Sequence, residues 1–317
     1  MKTLYGLRGV FSPVLTPFDA ENKPDPDRYI RHCKWLLARR VGLAVFGTNS
    51  EANSLGLQEK RKLLDLLLEA GLPASSMLPG TGCCAITESI ELTRAAVEGG
   101  CAGVLMLPPF YYKGVSDEGL YRAFASVIDG VGDERLRVYL YHIPPVSQVP
   151  VTRTLVARLL KRYPGIVAGM KDSSGQWENT KAMIEEFGPQ GFNVFAGSET
   201  YLLETMRAGG AGCITATGNV NPDPIVRLYD TWDHADADAQ QAALNATRAA
   251  FAKFPMIPAM KAAIAWKSGE RNWIYVRPPL VNLSAVEEEG LHMSLDGVGF
   301  EMPEAGLLRG SPAAVGH

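Results

Sequence analysis

One recurrence limits the fold more than any other feature: eight short apolar runs, each opened by Gly or a polar residue and each followed by a stretch with helical signals. They are "GVFSPVLTPF" (9–18), "GLAVFGT" (42–48), "SMLPGTG" (76–82), "GVLMLPP" (103–109), "RVYLY" (137–141), "IVAGMK" (166–171), "FNVFAGS" (192–198) and "GCITATGN" (212–219). Between them lie segments such as "LQEKRKLLDLLLEAG" (57–71), where Leu63, Leu64, Leu67 and Leu68 share one helical face and Gly71 closes the end. Near-continuous apolar strands alternating with helices imply a parallel sheet buried on both faces. Eight units in about 220 residues is the pattern of a (β/α)8 TIM barrel. A doubly wound open sheet is the alternative, and the count of eight with no break near the middle favours the barrel.

The strand signals stop after residue 230. The stretches "DADAQQAALNATRAAFAKF" (236–254) and "MIPAMKAAIAWKSG" (256–269) then predict a C-terminal helical extension. The expected organisation is a barrel over 1–230, a helical segment over 231–296 packed on it, and a loose tail over 297–317, rich in Gly, Pro and Ala.

Composition narrows the partners. With 46% hydrophobic residues the chain can bury a sizeable core, and a net charge of −3 from 31 basic and 34 acidic residues, mixed along the chain, supplies neither a nucleic-acid stripe nor a membrane patch. A small molecule is therefore the default ligand. Prolines interrupt the apolar run at the N-terminus, and no run is long enough to span a membrane, so a cytoplasmic protein is expected. The five cysteines (33, 83, 84, 101 and 213) form no CxxC, which fits a reduced compartment, and the adjacent Cys83 and Cys84 read as small buried thiols. The five histidines never pair at metal-ligand spacing, so neither a metal nor a cofactor is expected. "GTGCCA" (80–85) matches a dinucleotide-binding pattern but follows the third strand, not the first, and reads as a tight turn. There is no GxSxG elbow to suggest a serine hydrolase.

In such a barrel the chemistry sits at the carboxyl ends of the strands. Five ends are polar: Gly47 to Glu51, a turn rich in donors that suits a carboxylate; Tyr141 and His142; Lys171; Gly197 and Ser198; and Thr215 to Asn219. Lys171 is the only lysine among them. A barrel interior strips hydration from an amine and lowers its pKa, and a neutral amine attacks a ketone to form an imine that withdraws electrons from the neighbouring carbon. Tyr141, one strand away, is placed to move the protons. Spacing alone leaves a plain salt bridge from Lys171 to Asp172, or to another acid at the barrel mouth, equally open. His142 is expected to face away from Tyr141 by strand alternation.

Four motifs, in order, resemble the class I, pyruvate-dependent lyases typified by dihydrodipicolinate synthase and N-acetylneuraminate lyase: "GTNSE" (47–51), "PPFYYKGVSDEGLY" (108–121), "YHIP" (141–144) and "GMKDSSG" (169–175). The resemblance covers residues 9 to about 285. It implies that Lys171 forms the imine with a 2-oxo acid, that Tyr141 moves protons at its carbonyl, and that Thr48 and Asn49 hold the carboxylate. It implies further that the backbone around Gly197 and Ile214 lines the pocket. Tyr112 would enter the site of a neighbouring subunit, giving a homodimer or a homotetramer built as a dimer of dimers.

Departures from the pattern bear on the substrate. Asn49 stands where the synthases carry a second threonine, Ser50 where they carry glycine, and Val146 where they place an arginine that clamps the aldehyde's carboxylate. The Asn49 turn, "GMKDSSG" and the "RPPL...LS..EEE" ending (277–289) resemble 4-hydroxy-2-oxoglutarate aldolase more closely, which implies that Ser173 contacts substrate. A wall of Val146, Gln148, Ser173 and Ser198 suits hydroxyls better than a second carboxylate. The expectation is an aldolase or lyase acting on a 2-oxo-4-hydroxy or 3-deoxy-2-oxo acid, with pyruvate and an aldehyde as partners. A condensing synthase, a dehydratase or a deaminase would use the same imine. A 2-oxo acid sensor is the non-enzyme alternative, and it has no use for a nucleophile.

Overall fold

The computed structural model describes residues 6–310. Seven parallel strands form one curled sheet: β1 (Gly9–Ser12), β2 (Gly42–Leu43), β3 (Val104–Met106), β4 (Val138–His142), β5 (Val167–Asp172), β6 (Asn193–Ala196) and β7 (Gly212–Ile214). Their order is β2-β1-β7-β6-β5-β4-β3. The expected eighth strand, 76–82, is not a strand. It nevertheless lies between the two sheet edges: Leu78 N donates to Leu43 O (2.8 Å) and Gly80 N to Val45 O (2.7 Å), while Leu105 N donates to Pro79 O (2.8 Å). Isolated bridges form on either side of it, Leu43 with Met77 and Gly80 with Leu105, and toward β3 the ladder lacks the N–H that Pro79 cannot give. The result is a TIM-barrel-like α/β fold.

Strand alternation divides the core in two. Phe11, Leu78, Leu105, Tyr139, Tyr141, Phe195 and Ile214 cluster together inside the curl, whereas Val10, Val138, Leu140, Met170 and Val194 join the layer shared with the helices. Gly169 makes the inner packing possible, because a Cβ there would lie 2.8 Å from the Tyr139 ring. At the amino end, Leu7 N donates to the Tyr139 hydroxyl (3.0 Å). The helix Leu57–Glu69 buries Leu63, Leu64 and Leu67, and Gly71 follows it with φ 75°, the left-handed conformation glycine adopts without strain.

Three long helices follow residue 230: Ala237–Ala252, Met256–Ser268 and Ala285–Asp296. The stretch expected to be loose is packed as far as it is described. Phe300, Met302, Ala305 and Leu308 are buried, and Arg39 donates to Pro303 O (2.7 Å) and to Glu304 (2.8 Å). A composition rich in Gly, Pro and Ala concealed four well-spaced apolar anchors; residues 311–317 lie outside the described residues. Among the described residues no helix is long and apolar enough to cross a membrane.

Candidate active site

Lys171 and Tyr141 are register partners on adjacent strands, so their side chains leave the sheet on the same, inner side. Lys171 Nζ donates to the Tyr141 hydroxyl at 3.2 Å and lies 4.4 Å from the centre of its ring. Both residues are only 2% exposed. The Thr48 hydroxyl lies 3.2 Å from the same phenol oxygen, which joins three strand ends in one hydrogen-bonded row. Burial alone would raise the Tyr141 pKa, but the Lys171 charge and the hydrogen bonds with Thr48 and Lys171 outweigh it and hold the phenol below its ordinary value.

The salt-bridge alternative for Lys171 is not realised. Asp172 points the other way and accepts from Ser174 N (2.9 Å), Asn179 Nδ2 (2.8 Å) and Thr180 Oγ1 (2.7 Å). His142 also lies behind the site, where its Nδ1 accepts from Val151 N (2.9 Å). Burial lowers its pKa, partly offset by Asp172.

Thr48 opens a single 3-10 turn, Thr48–Ser50, closed by Gly47 N donating to Ser50 Oγ at 3.0 Å. Thr48 and Asn49 are half-buried. On the opposite wall Ser173 N donates to His142 O and Gly197 N to Asp172 O, both at 2.7 Å. Gly197 packs so closely on Ser173 that a Cβ would lie 2.0 Å from its hydroxyl oxygen. Ser198 Oγ donates to Thr200 Oγ1 (2.9 Å), and Ile214 is fully buried within the inner core. Thus Lys171 and Thr48 each bond Tyr141, Ser173 and Gly197 pack on each other, and Ile214 shares the inner core with Tyr141.

Tyr112 is not part of this cluster. It is 69% exposed, stacked edge-on against Tyr111, which is 74% exposed. Lys113, the next residue, donates to Ser147 O (2.8 Å) and so ties this loop to the helix Pro144–Ser147, on which Val146 stands exposed.

Two buried carboxylates lie behind the site: Glu199, unrecognised in the sequence, and Glu51, read there only as part of the polar turn. Glu199, 1% exposed, accepts from the hydroxyls of Thr215 and Thr217 and from Arg248 (3.3 Å). Glu51 pairs with Lys261, both fully buried, and burial brings the lysine down to about 8 against the opposing pull of Glu51. Their partners are distant in sequence, so no local spacing could have revealed them. Cys84, expected to be buried, is exposed, and Cys83 is half-buried.

A buried lysine hydrogen-bonded to a tyrosine at the carboxyl end of a TIM-barrel-like sheet suits imine chemistry, and the family and relatives identify the chain as a class I, pyruvate-dependent lyase. The comparisons supply the family: the model of the Dihydrodipicolinate synthetase family matches residues 6–297, and the chain belongs to that family. An uncharacterized DapA-like lyase of Chloroflexus aurantiacus is 34% identical over 294 residues, covering 92% of this chain and 97% of the relative. The crystal structure of dihydrodipicolinate synthase from Agrobacterium tumefaciens is 30% identical with a TM-score of 0.84, covering 92% of this chain and 99% of that one. YagE, an Escherichia coli K12 prophage protein crystallised with pyruvate, is 28% identical with a TM-score of 0.84, over 93% of this chain and 99% of its own.

Proposed function

We propose that this chain is an imine-forming aldolase or lyase that cleaves, or in reverse condenses, a 2-oxo-4-hydroxy or 3-deoxy-2-oxo acid, with pyruvate and an aldehyde as the partners. The observation that carries this reading is the hydrogen-bonded row Lys171, Tyr141 and Thr48. In this reading residues 6–230 form a (β/α)8 barrel in which the segment 77–81 stands in for one strand, with the later helices as an extension.

The Lys171 amine gives up a proton through Tyr141 and adds to the C2 carbonyl, and the carbinolamine loses its oxygen as water, with protons again passing through Tyr141. In the protonated imine, the nitrogen takes up the electron pair of the C3–C4 bond as that bond breaks. The 4-hydroxyl proton passes to Tyr141, and the aldehyde leaves. C3 is then protonated, and water hydrolyses the imine to release pyruvate and free Lys171. Thr48, Asn49 and Gly47 receive the carboxylate of the 2-oxo acid, and Ser173, Gly197, Ser198 and Ile214 line the remaining wall. No metal or organic cofactor enters these steps.

The choice of substrate rests on the mouth. Val146 is 61% exposed and Ser173 and Ser198 are half-buried, so these three positions offer hydroxyl groups and no guanidinium to the far end of the substrate. A second reading, condensation as in 4-hydroxy-tetrahydrodipicolinate synthase, is favoured by a Thermus thermophilus relative of that name, 32% identical over 93% of this chain. The exposed Tyr111 and Tyr112 support a homodimer or a dimer of dimers, in which Tyr112 completes the proton relay of a neighbouring copy.

Borohydride added with pyruvate should reduce the imine and leave a pyruvate-derived mass on the peptide bearing Lys171. Absence of that adduct would sink the mechanism. Free pyruvate plus an aldehyde among the products, rather than a 2-oxo acid semialdehyde, separates cleavage from dehydration or deamination.

A further inference from the structure

Behind the turn proposed to receive the carboxylate lies a second, fully dry layer of charge. Glu51 closes the turn Thr48–Ser50 in the left-handed conformation, φ 56°, which a residue with a Cβ adopts only when its surroundings hold it there. Its carboxylate turns toward the C-terminal helices. One oxygen accepts from Lys261 Nζ on the helix Met256–Ser268 at 2.5 Å, and the other from Arg277 N at 2.9 Å. Lys261 has few other choices: it also donates to Tyr275 O (2.8 Å) and lies 4.6 Å over the Phe18 ring.

The same region grips both flanks of the turn. The Arg277 guanidinium donates to Ser54 O (2.6 Å), Asn22 O (2.6 Å) and Glu59 (2.8 and 2.9 Å). From the other side, Thr16 Oγ1 donates to Ser50 O at 2.7 Å. Glu51 is therefore the joint through which a segment about 210 residues away in sequence determines the path of the chain at Thr48 and Asn49.

We infer that Glu51 and Lys261 are positioning residues for 2-oxo acid binding: the buried pair holds the left-handed turn that aims Thr48 and Asn49 at the substrate carboxylate. The inference rests on the proposed function, since it takes that turn as the carboxylate site. Breaking the pair frees the turn while leaving Lys171 and Tyr141 on their own strands. The effect belongs in KM more than in kcat, because what is lost is binding common to ground and transition states.

The test compares Lys261→Met with the double variant Glu51→Gln/Lys261→Met, which removes both charges and tolerates a dry site better if the single variant folds poorly. Both are measured for pyruvate Kd by borohydride trapping on Lys171, for KM and kcat separately, and for fold by circular dichroism. In whichever variants fold, KM and Kd should rise roughly tenfold or more with kcat within about threefold of wild type, and saturating pyruvate should restore full trapping. Wild-type Kd in a folded double variant overturns the inference, as does a loss confined to kcat. A wild-type chain that traps pyruvate while the folded variants bind it equally well leaves the proposed function standing without this addition; a wild type that traps nothing overturns both.

Discussion

Lys171 Nζ lies 3.2 Å from the Tyr141 hydroxyl, on two strands whose register makes them direct neighbours. In the proposed mechanism that contact divides the labour: the amine forms the bond and the phenol moves the protons. Tyr141→Phe keeps the ring and its packing but loses the hydroxyl. Turnover should fall by about 10²- to 10⁴-fold, the usual worth of a positioned acid or base. Pyruvate should still be trapped on Lys171, only more slowly. Turnover within a few-fold of wild type would remove Tyr141 from the mechanism.

Gly197 offers a steric test of the opposite wall. A Cβ there would lie 2.7 Å from Asp172 O, the atom its own N–H bonds, and 2.0 Å from Ser173 Oγ. Something must shift, and the strand end next to Lys171 is what yields. Gly197→Ala should therefore lower kcat/KM by roughly 100-fold, the scale of an ångström-sized misplacement of a catalytic group. Gly188→Ala is the control, because a Cβ at Gly188 meets nothing within 4 Å. Equal activities in the two variants would show that the Ser173 wall does not touch the reaction.

Tyr112 is far too exposed, at 69%, to serve a site within its own subunit as described. If it serves a neighbour's, Tyr112→Phe and Lys171→Ala should each be nearly inactive alone. Mixed, dissociated and reassembled, they should regain part of the activity, since some hybrids unite an intact lysine with an intact tyrosine. No recovery, with exchange of subunits verified by mass, would argue that Tyr112 has no role across the interface.

What the sequence made legible was what depends on near neighbours. Apolar runs broken by Gly and Pro gave away the strands and helices, and motif order pointed to Lys171, Tyr141 and the Thr48 turn. The third run failed as a strand because one residue, Pro79, removes the donor that a ladder needs. Alternation along β5 already turns Asp172 away from Lys171, but that Tyr141 is the partner on its side needed the register of β4 on β5. The pairs Glu51–Lys261 and Glu199–Arg248 join residues far apart in the chain, so pattern and spacing carry no trace of them. The segment after Gly297 was misjudged because composition averages over the anchors Phe300, Met302 and Leu308, whose positions decide whether it packs.

His32 turns the fold's stability into a pH measurement. It is fully buried on the helix Pro26–Ala38, near Trp35 and Trp273. Asn219 Nδ2 donates to Pro13 O and Ala216 O, so Asn219 Oδ1 is the acceptor of both Leu15 N and His32 Nε2, each at 3.0 Å. The imidazole is therefore held with its proton on Nε2. Burial lowers its pKa from 6.5 to about 4, with the Asn219 bond opposing only in part. The unfolded chain thus binds a proton below 6.5 that the folded chain refuses until about 4. This group costs nothing above pH 6.5, and its penalty grows as the pH falls, to roughly 3 kcal/mol once both states are protonated. His32→Gln keeps an amide donor toward Asn219 but cannot titrate. In urea unfolding at about pH 7.5 and about pH 4, wild type should lose roughly 3 kcal/mol more than the variant. Parallel losses would mean that His32 already carries its proton inside the fold, and that the aromatic walls around it are wetter than their burial implies.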